Sequence, residues 1–368
     1  MHRPVVIAAG GTGGHFFPAE ALAAELVRRG QRVALVTDAR SATLNAEALA
    51  GRERFVVRGA GIAGRGMLRG AQAAAALAMG TVQARGVLAG LHAGVLVGFG
   101  GYPSVAPVLG ARLMLGGRPR IVLHEQNAVL GRANRALARF ADILALSHAR
   151  TSRVPRDVAT RVVGNPVRAR IAAIAGAPYQ PPETEIRLLV LGGSLGARVF
   201  SDVVPGALAA LPEAVRARLR VSQQCRAEDL ARARAAYAAA AIDADLAPFF
   251  TDVAALLAGA HLVIARAGAS TVAELAAVGR PAILVPLPSA IDDHQTANAA
   301  SLADAGAAWV LPQPTFTVTA LRDHLAWLFA APASLADAAA RATTCGHAGA
   351  AALLADTIDE FLAQESAA

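Results

Sequence analysis

Of 368 residues none is lysine; every basic side chain in the Lys plus Arg count of 35 is an arginine. That absence excludes two large enzyme classes, because a Walker A phosphate loop and a pyridoxal phosphate Schiff base both need a lysine amine. Cysteine is scarce too. Cys225 and Cys345 stand far apart, with no CxxC pair and no histidine at ligand spacing, and read as ordinary thiols of a reducing compartment. Aromatics make up only 4%, and the arginines are scattered, so the net charge of +8 lacks the basic, aromatic-interleaved pattern of a nucleic-acid binder. Long apolar runs are missing as well. Mean hydropathy is high at +0.43, yet stretches such as AGVLVGFGGYPSVAPVLGA are broken by Gly and Pro. None offers about 18 uninterrupted apolar residues, so no membrane-spanning helix is expected. The first glycine turn follows Ala9 with no charged region or cleavage site before it; no signal peptide is expected, and the cytoplasm is the default compartment.

What the chain does have is alternation. Short apolar, β-branched runs at 4–9, 32–37, 95–99, 120–124 and 142–146 are followed by a second series at 187–192, 219–223, 261–265 and 281–286. Amphipathic segments such as 17–29, 228–240 and 293–304 lie between them, which predicts parallel sheets covered by helices on both faces. PVVIAAGGTGGHFFPAEAL at the start is echoed by RLLVLGGSLGARVFSDVV from residue 187. The expected fold class is therefore α/β, with two doubly wound, Rossmann-like parallel-sheet domains. The boundaries expected are 1–164 and 165–344, with a C-terminal helix over 345–368 packing back on the first domain.

Three glycine turns, GGTGGH (10–15), GFGGYPS (98–104) and GGSLGA (192–197), each follow a strand and precede a helix. Such turns let the backbone approach a ligand and present helix N–H groups to an anion. None fits GxGxxG, since Phe16, Pro103 and Ala197 occupy the third glycine position. Asp38 stands where a ribose-binding acid would lie, although an exposed loop residue is the plainer reading. His15 is either a solvent-side helix-entry residue or a base, its type titrating near neutrality.

HEQN at 124–127 ends a strand with four polar groups, of which Asn127 could cap the next helix. In RAGASTVAEL (266–275), Arg266 could meet a phosphate, and Glu274 either closes a capping box with Thr271 or accepts ribose hydroxyls. Asp292 and Asp293 read as solvated helix-start residues without a metal partner. His294, Gln295 and Asn298 suit sugar hydroxyls. Together these groups point to an anionic nucleotide carrying a polyhydroxylated group, bound between two domains.

GGTGGHFFP, GFGGYPS, HEQN, GNPVR, GGSLGA, RAGASTVAEL and DDHQTANA, in this order, resemble the MurG family of bacterial peptidoglycan glycosyltransferases. The match runs from the first strand to about residue 310. The resemblance implies a GT-B fold, its two domains facing a cleft, and an inverting transfer of GlcNAc from UDP-GlcNAc to the MurNAc 4-hydroxyl of undecaprenyl-linked lipid I, giving lipid II. It implies no cofactor and no metal. By motif, His15, Glu125 and Asn127 would be catalytic. Thr12, Gly13, Gly14, His15, Asn127, Arg168, Ser194, Arg266, Gly268, Ala269, Thr271, Glu274, His294 and Gln295 would bind UDP-GlcNAc. Gly13, Gly14, Gly100, Gly101 and Tyr102 would lie on the acceptor side.

Leu195 departs from the Gln common in the family, and Ala267 from a common Ser. A lipid acceptor also implies a peripheral enzyme on the cytoplasmic face of the inner membrane, with an anionic membrane surface and other cell-wall and division proteins as partners. Residues 62–91, with Met67, Leu68, Leu77 and Met79 among Arg65, Arg69 and Arg85, would be a membrane patch or a plain core-facing helix. The rival functions are a GT-B UDP-GlcNAc 2-epimerase, a dinucleotide oxidoreductase and a catalytically silent sugar-nucleotide binding module.

Overall fold

Four of the first unit's strands are buried on every residue, so they need cover on both faces and read as continuous apolar runs. The computed structural model describes residues 3–10, 13–39, 41, 47–59, 67–193 and 196–366. Two units emerge: residues 1–169 with 348–368, and residues 170–347.

The first unit holds β1 (Val5–Ala8), β2 (Val33–Thr37), β3 (Glu53–Val56), β4 (Val95–Gly98), β5 (Arg120–Glu125), β6 (Ile143–Leu146) and β7 (Thr160–Val162). They form one parallel sheet in the order β3-β2-β1-β4-β5-β6-β7, with Ile7 registered against Leu35 on one side and Val97 on the other. The strand order reverses between β1 and β4. The first two glycine turns follow those two strands, at the carboxyl ends where open α/β sheets bind ligands.

The second unit repeats the plan. Its strands are β8 (Ile186–Leu191), β9 (Leu219–Gln224), β10 (Asp243–Ala247), β11 (Leu262–Ala265), β12 (Ala282–Leu284) and β13 (Ala308–Val310), ordered β10-β9-β8-β11-β12-β13. Here the reversal falls between β8 and β11. The third glycine turn follows β8, and ARAGAS follows β11. Both sheets thus set a pair of glycine-bearing turns at the switch point.

The terminal helix Ala350–Ser366 belongs to the first unit. Leu354, Ala355, Ile358 and Leu362 are buried with Ile7, Leu22 and Leu26. Arg29 fastens the helix through Asp356 at 2.7 Å and Asp359 at 2.8 Å, and Arg161 does so through Glu360 at 2.8 Å. Glu25, bonded by Arg28 and then Arg29, has its carboxyl held down at about 2.

Within the helix Met67–Leu91, the 22 residues from Gly70 to Leu91, with mean hydropathy 1.3, are long and apolar enough to cross a membrane by length and composition. Its glycines interrupt the apolar run in sequence without ending the helix. Ala84, Leu88 and Leu91 are buried against the sheet. Gly80 leaves no room for a Cβ beside the Arg58 carbonyl, and at Gly110 of the helix Val105–Arg112 a Cβ would come within 2.9 Å of the Thr81 and Arg85 backbones. In this unit the segment is a docked covering helix.

Candidate active site

The helix Gly13–Arg28 starts at the first glycine turn and carries His15 in its opening turn. Gly10 ends the strand side of that turn, where a Cβ would come within 2.9 Å of Asp38 and Ser41. Asp38 is buried, not the exposed loop residue expected: it follows the interior strand β2, and its carboxylate accepts the Tyr102 hydroxyl. The second turn holds Gly100 and Gly101 at φ 78° and 65°, conformations that favour glycine. Ser104 ties it to β1, donating to the Gly100 carbonyl at 2.9 Å and the Ala8 carbonyl at 3.2 Å. Gly101 lies beside the His15 ring, on the edge carrying Cδ2 and Nε2.

His15 does not stand alone. Its Nδ1 is 2.9 Å from Gln126 Oε1. Gln126 is buried, and its Nε2 donates to the Phe99 carbonyl at 3.0 Å and contacts His124 Nδ1 at 3.0 Å and the His124 carbonyl at 3.1 Å. His124 Nε2 lies 3.0 Å from the Gly164 carbonyl. Complete burial pulls His124 down to about 4, so this ring stays neutral at physiological pH.

Glu125, expected among the catalytic groups, anchors the loop that follows it. One oxygen accepts from the Asn127 backbone and side-chain nitrogens, each at 3.0 Å. The other accepts from Gly131 N and Asn134 Nδ2, each at 2.9 Å. Four donors thus engage the two carboxylate oxygens. Asn127 bonds back to Glu125, and the next helix, Arg132–Leu137, is capped by Gly131 instead. Arg168, expected on the donor side, falls in the first unit, where it lies over the Phe17 ring at 5.0 Å.

In the second unit the helix Ala269–Val278 follows β11. Its N-cap is Gly268, in extended conformation and without a side-chain capping bond. The Thr271–Glu274 capping box is thereby corrected: Thr271 already lies in the first turn and Glu274 in the second, buried. A glycine cap supplies no side-chain acceptor of its own to the first helix N–H groups, the arrangement of a helix-end anion site.

Arg266 is less available than expected. Its Nη1 donates to the Val285 and Pro286 carbonyls at 3.1 and 3.3 Å, and Nη2 to Gln313 Oε1 at 2.6 Å. The guanidinium lies 5.4 Å from the Phe200 ring centroid, and burial lowers its basicity. It struts the end of β12 beside the helix start.

Asp292 and Asp293 both take left-handed backbone, φ 55°, at the entry to the helix His294–Ala303. His294 Nδ1 donates to the Ile291 carbonyl at 2.7 Å, and Gln295 Oε1 accepts from Leu287 N at 3.0 Å. Among the described residues neither Nε2 atom makes a hydrogen bond. Asn298, fully buried, instead braces the Ala267 carbonyl at 3.1 Å. Thr12, Ser194, Leu195 and Arg65 lie outside the described residues.

Sequence reasoning picked out Gln126 only as part of HEQN and missed Gln224 altogether. At the end of β9, Gln224 accepts from Gly192 N at 3.1 Å and donates to Gly193 O at 3.0 Å, clasping the third glycine turn. Its only signal was its place at a strand end, shared by many loop residues.

Residues 5–145 match the glycosyltransferase family 28 N-terminal domain, and residues 187–354 the glycosyltransferase family 28 C-terminal domain. The chain is 63% identical over 362 residues to the UDP-N-acetylglucosamine--N-acetylmuramyl-(pentapeptide) pyrophosphoryl-undecaprenol N-acetylglucosamine transferase of Granulibacter bethesdensis, covering 98% of this chain and 94% of that one. The protein of the same name from Gluconobacter oxydans is 52% identical over 363 residues, covering 98% and 100%. Among solved structures, Acinetobacter baumannii MurG is similar at TM-score 0.80 and 30% identity, over 98% of this chain and 100% of that one. The glycotransferase of kitacinnamycin, at 17% identity and TM-score 0.70 over 98% and 100%, shares the fold. The chain belongs to the MurG family of glycosyltransferase family 28, a two-domain GT-B enzyme family.

Proposed function

We propose that this chain transfers N-acetylglucosamine from UDP-GlcNAc to the MurNAc 4-hydroxyl of undecaprenyl-pyrophosphoryl-MurNAc-pentapeptide, making lipid II from lipid I in peptidoglycan synthesis. The observation that carries this reading is the likeness over nearly the whole chain, 63% identity across 98% of it, to a relative of that name. The donor is held by the second unit, its diphosphate at the N-terminus of the helix Ala269–Val278 and its ribose by Glu274. The acceptor pyrophosphate meets the glycine turns of the first unit. His15 Nε2 takes the proton of the acceptor hydroxyl as that oxygen attacks C1 of the GlcNAc. The C1–O bond to UDP breaks with inversion, and the helix N-terminus receives the charge on the leaving diphosphate.

The test is UDP release from UDP-GlcNAc with and without a soluble lipid I analogue. Acceptor-dependent release with a β-1,4-linked disaccharide product is expected. Conversion of UDP-GlcNAc to its 2-epimer without acceptor would put the chain with the other GT-B reaction instead.

A lipid-linked acceptor calls for a membrane-facing surface. On the helix Met67–Leu91, Met79 and Val82 are 45% and 66% exposed, beside the exposed Arg85 and with the Arg58 guanidinium against the Met79 sulfur. We assign this face to an anionic bilayer at the cytoplasmic side of the inner membrane. Burying each of these side chains is worth about 1.5–3 kcal/mol. The M79D/V82D double variant should therefore sediment with phosphatidylglycerol vesicles at least about tenfold more weakly. Equal sedimentation would move the membrane surface elsewhere.

A further inference from the structure

We infer that Gln126 is a positioning residue that fixes His15 in the tautomer with its proton on Nδ1 and its lone pair on Nε2. The inference rests on the proposed role of His15 for its consequence, but the geometry stands by itself. Gly164 O and Phe99 O can only accept hydrogen bonds, and they bound the network at two ends. Gly164 O, 3.0 Å from His124 Nε2, therefore requires the proton of the neutral His124 ring to sit on Nε2. His124 Nδ1 is then an acceptor and needs a donor. The Gln126 atom 3.0 Å from it also lies 3.0 Å from Phe99 O and 3.1 Å from His124 O.

Three acceptors around one atom admit only the amide nitrogen. An inverted amide would set its oxygen against two carbonyl oxygens and a ring lone pair, leaving buried acceptors unsatisfied. The orientation of Gln126 is thus fixed twice over, and Oε1 is the atom it turns to His15, at 2.9 Å. An acceptor there draws a donor, so His15 carries hydrogen on Nδ1. Nε2, on the ring edge beside Gly101, is left basic.

The same contact serves the protonated ring. When Nε2 takes a proton, the Nδ1–H still donates to Oε1, so nothing need rotate during the step. A buried amide does here what a carboxylate does for the histidine of a catalytic triad, without adding a charge.

The experiment combines kinetics with long-range 1H–15N spectra of histidine-labelled full-length protein, His15 being assigned by the peaks lost in His15→Gln. The wild type should show His15 protonated on Nδ1. In Gln126→Leu, kcat should fall on the order of 100-fold with the KM for UDP-GlcNAc within about threefold, and the His15 signals should move toward the Nε2–H form. Gln126→Glu, entering this buried site as the neutral acid, keeps an acceptor for His15 and a donor for Phe99 O. It should restore kcat to within about tenfold of wild type.

A wild-type His15 carrying its proton on Nε2 would overturn the inference. So would a Gln126→Leu enzyme with altered tautomer and unchanged kcat, or equal losses in both variants with the His15 spectrum unmoved. Should Gln126→Leu not fold, the wild-type spectrum and Gln126→Glu decide alone. Absence of acceptor-dependent UDP release by the wild type would instead sink the functional reading and leave the tautomer assignment standing.

Discussion

Replacing His15 with alanine is expected to lower kcat by about 10²–10⁴-fold, the range a positioned general base contributes. That range corresponds to about 3–5 kcal/mol of barrier. The KM for UDP-GlcNAc should move much less if, as proposed, the second unit holds the donor, since His15 opens a helix of the first. Alanine also removes the partner of Gln126 Oε1, so the loss could come from a loosened loop. His15→Gln separates the two causes, since its amide can still donate to Oε1 but cannot take the proton. Equal losses in kcat for both variants would place the effect in proton transfer. Turnover within about threefold of wild type in either would remove His15 from the chemistry.

The sheets were legible from sequence in their centres and illegible at their rims. Nine strands were expected from apolar runs, and all nine are present. The four not expected, β3, β7, β10 and β13, are the four edges of the two sheets. The physical reason is exposure. A central strand of a parallel sheet is covered on both faces and must be apolar, whereas an edge strand can carry charge. ERFV, TRV and DADLA do so, and each is largely solvent-accessible. Trp309 on β13 sits in a strand of only three residues, too short for any period.

The site was legible where chemistry has a signature and silent where it does not. A histidine in a glycine turn and a run of polar groups ending a strand are unusual, and they singled out His15 and HEQN. Which member of HEQN does what could not be read. Glu125 has the chemistry of a base, and the four donors around it come from Asn127, Gly131 and Asn134, a set its sequence neighbours did not announce. Gln126 has no reactive chemistry, yet it reaches both His15 and His124. Arg266 shows the same limit. The guanidinium was visible in sequence, but the three acceptors that engage it come from residues 285, 286 and 313, brought close only by the fold.

Lowering the pH from 6.5 to 4 is expected to cost the first unit roughly 3 kcal/mol of stability, through His124 alone. Its folded value is about 4 against an ordinary 6.5, chiefly because burial penalises the charged ring. His15 and His148 push it further down, while the Gly164 carbonyl and the Glu125 charge oppose them. Above 6.5 both folded and unfolded rings are neutral and the group contributes nothing to the pH dependence. Between 6.5 and 4 the unfolded ring takes up the proton and the folded one resists it, so stability falls with pH.

The hydrogen-bond geometry agrees. A protonated His124 would present N–H from both ring nitrogens, and Gln126 Nε2, itself a donor, faces one of them. A domain is typically stable by about 5–15 kcal/mol, so a loss of this size is a sizeable fraction of the whole. Glu25 acts in a lower window, from 4.5 to about 2, and can be told apart. His261 in the second unit, also drawn down to about 4 by burial, should weaken that unit over the same range as His124.

The two units report separately. Both tryptophans, Trp309 and Trp327, lie in the second, so fluorescence follows that unit, while hydrogen exchange at the β5 amides follows the first. His124→Asn should be less stable at pH 7 and lose most of the slope between 6.5 and 4 in β5 protection. Protection in the wild type that stays level from pH 7 to 4.5, corrected for intrinsic exchange, would show that His124 is not held neutral by the fold.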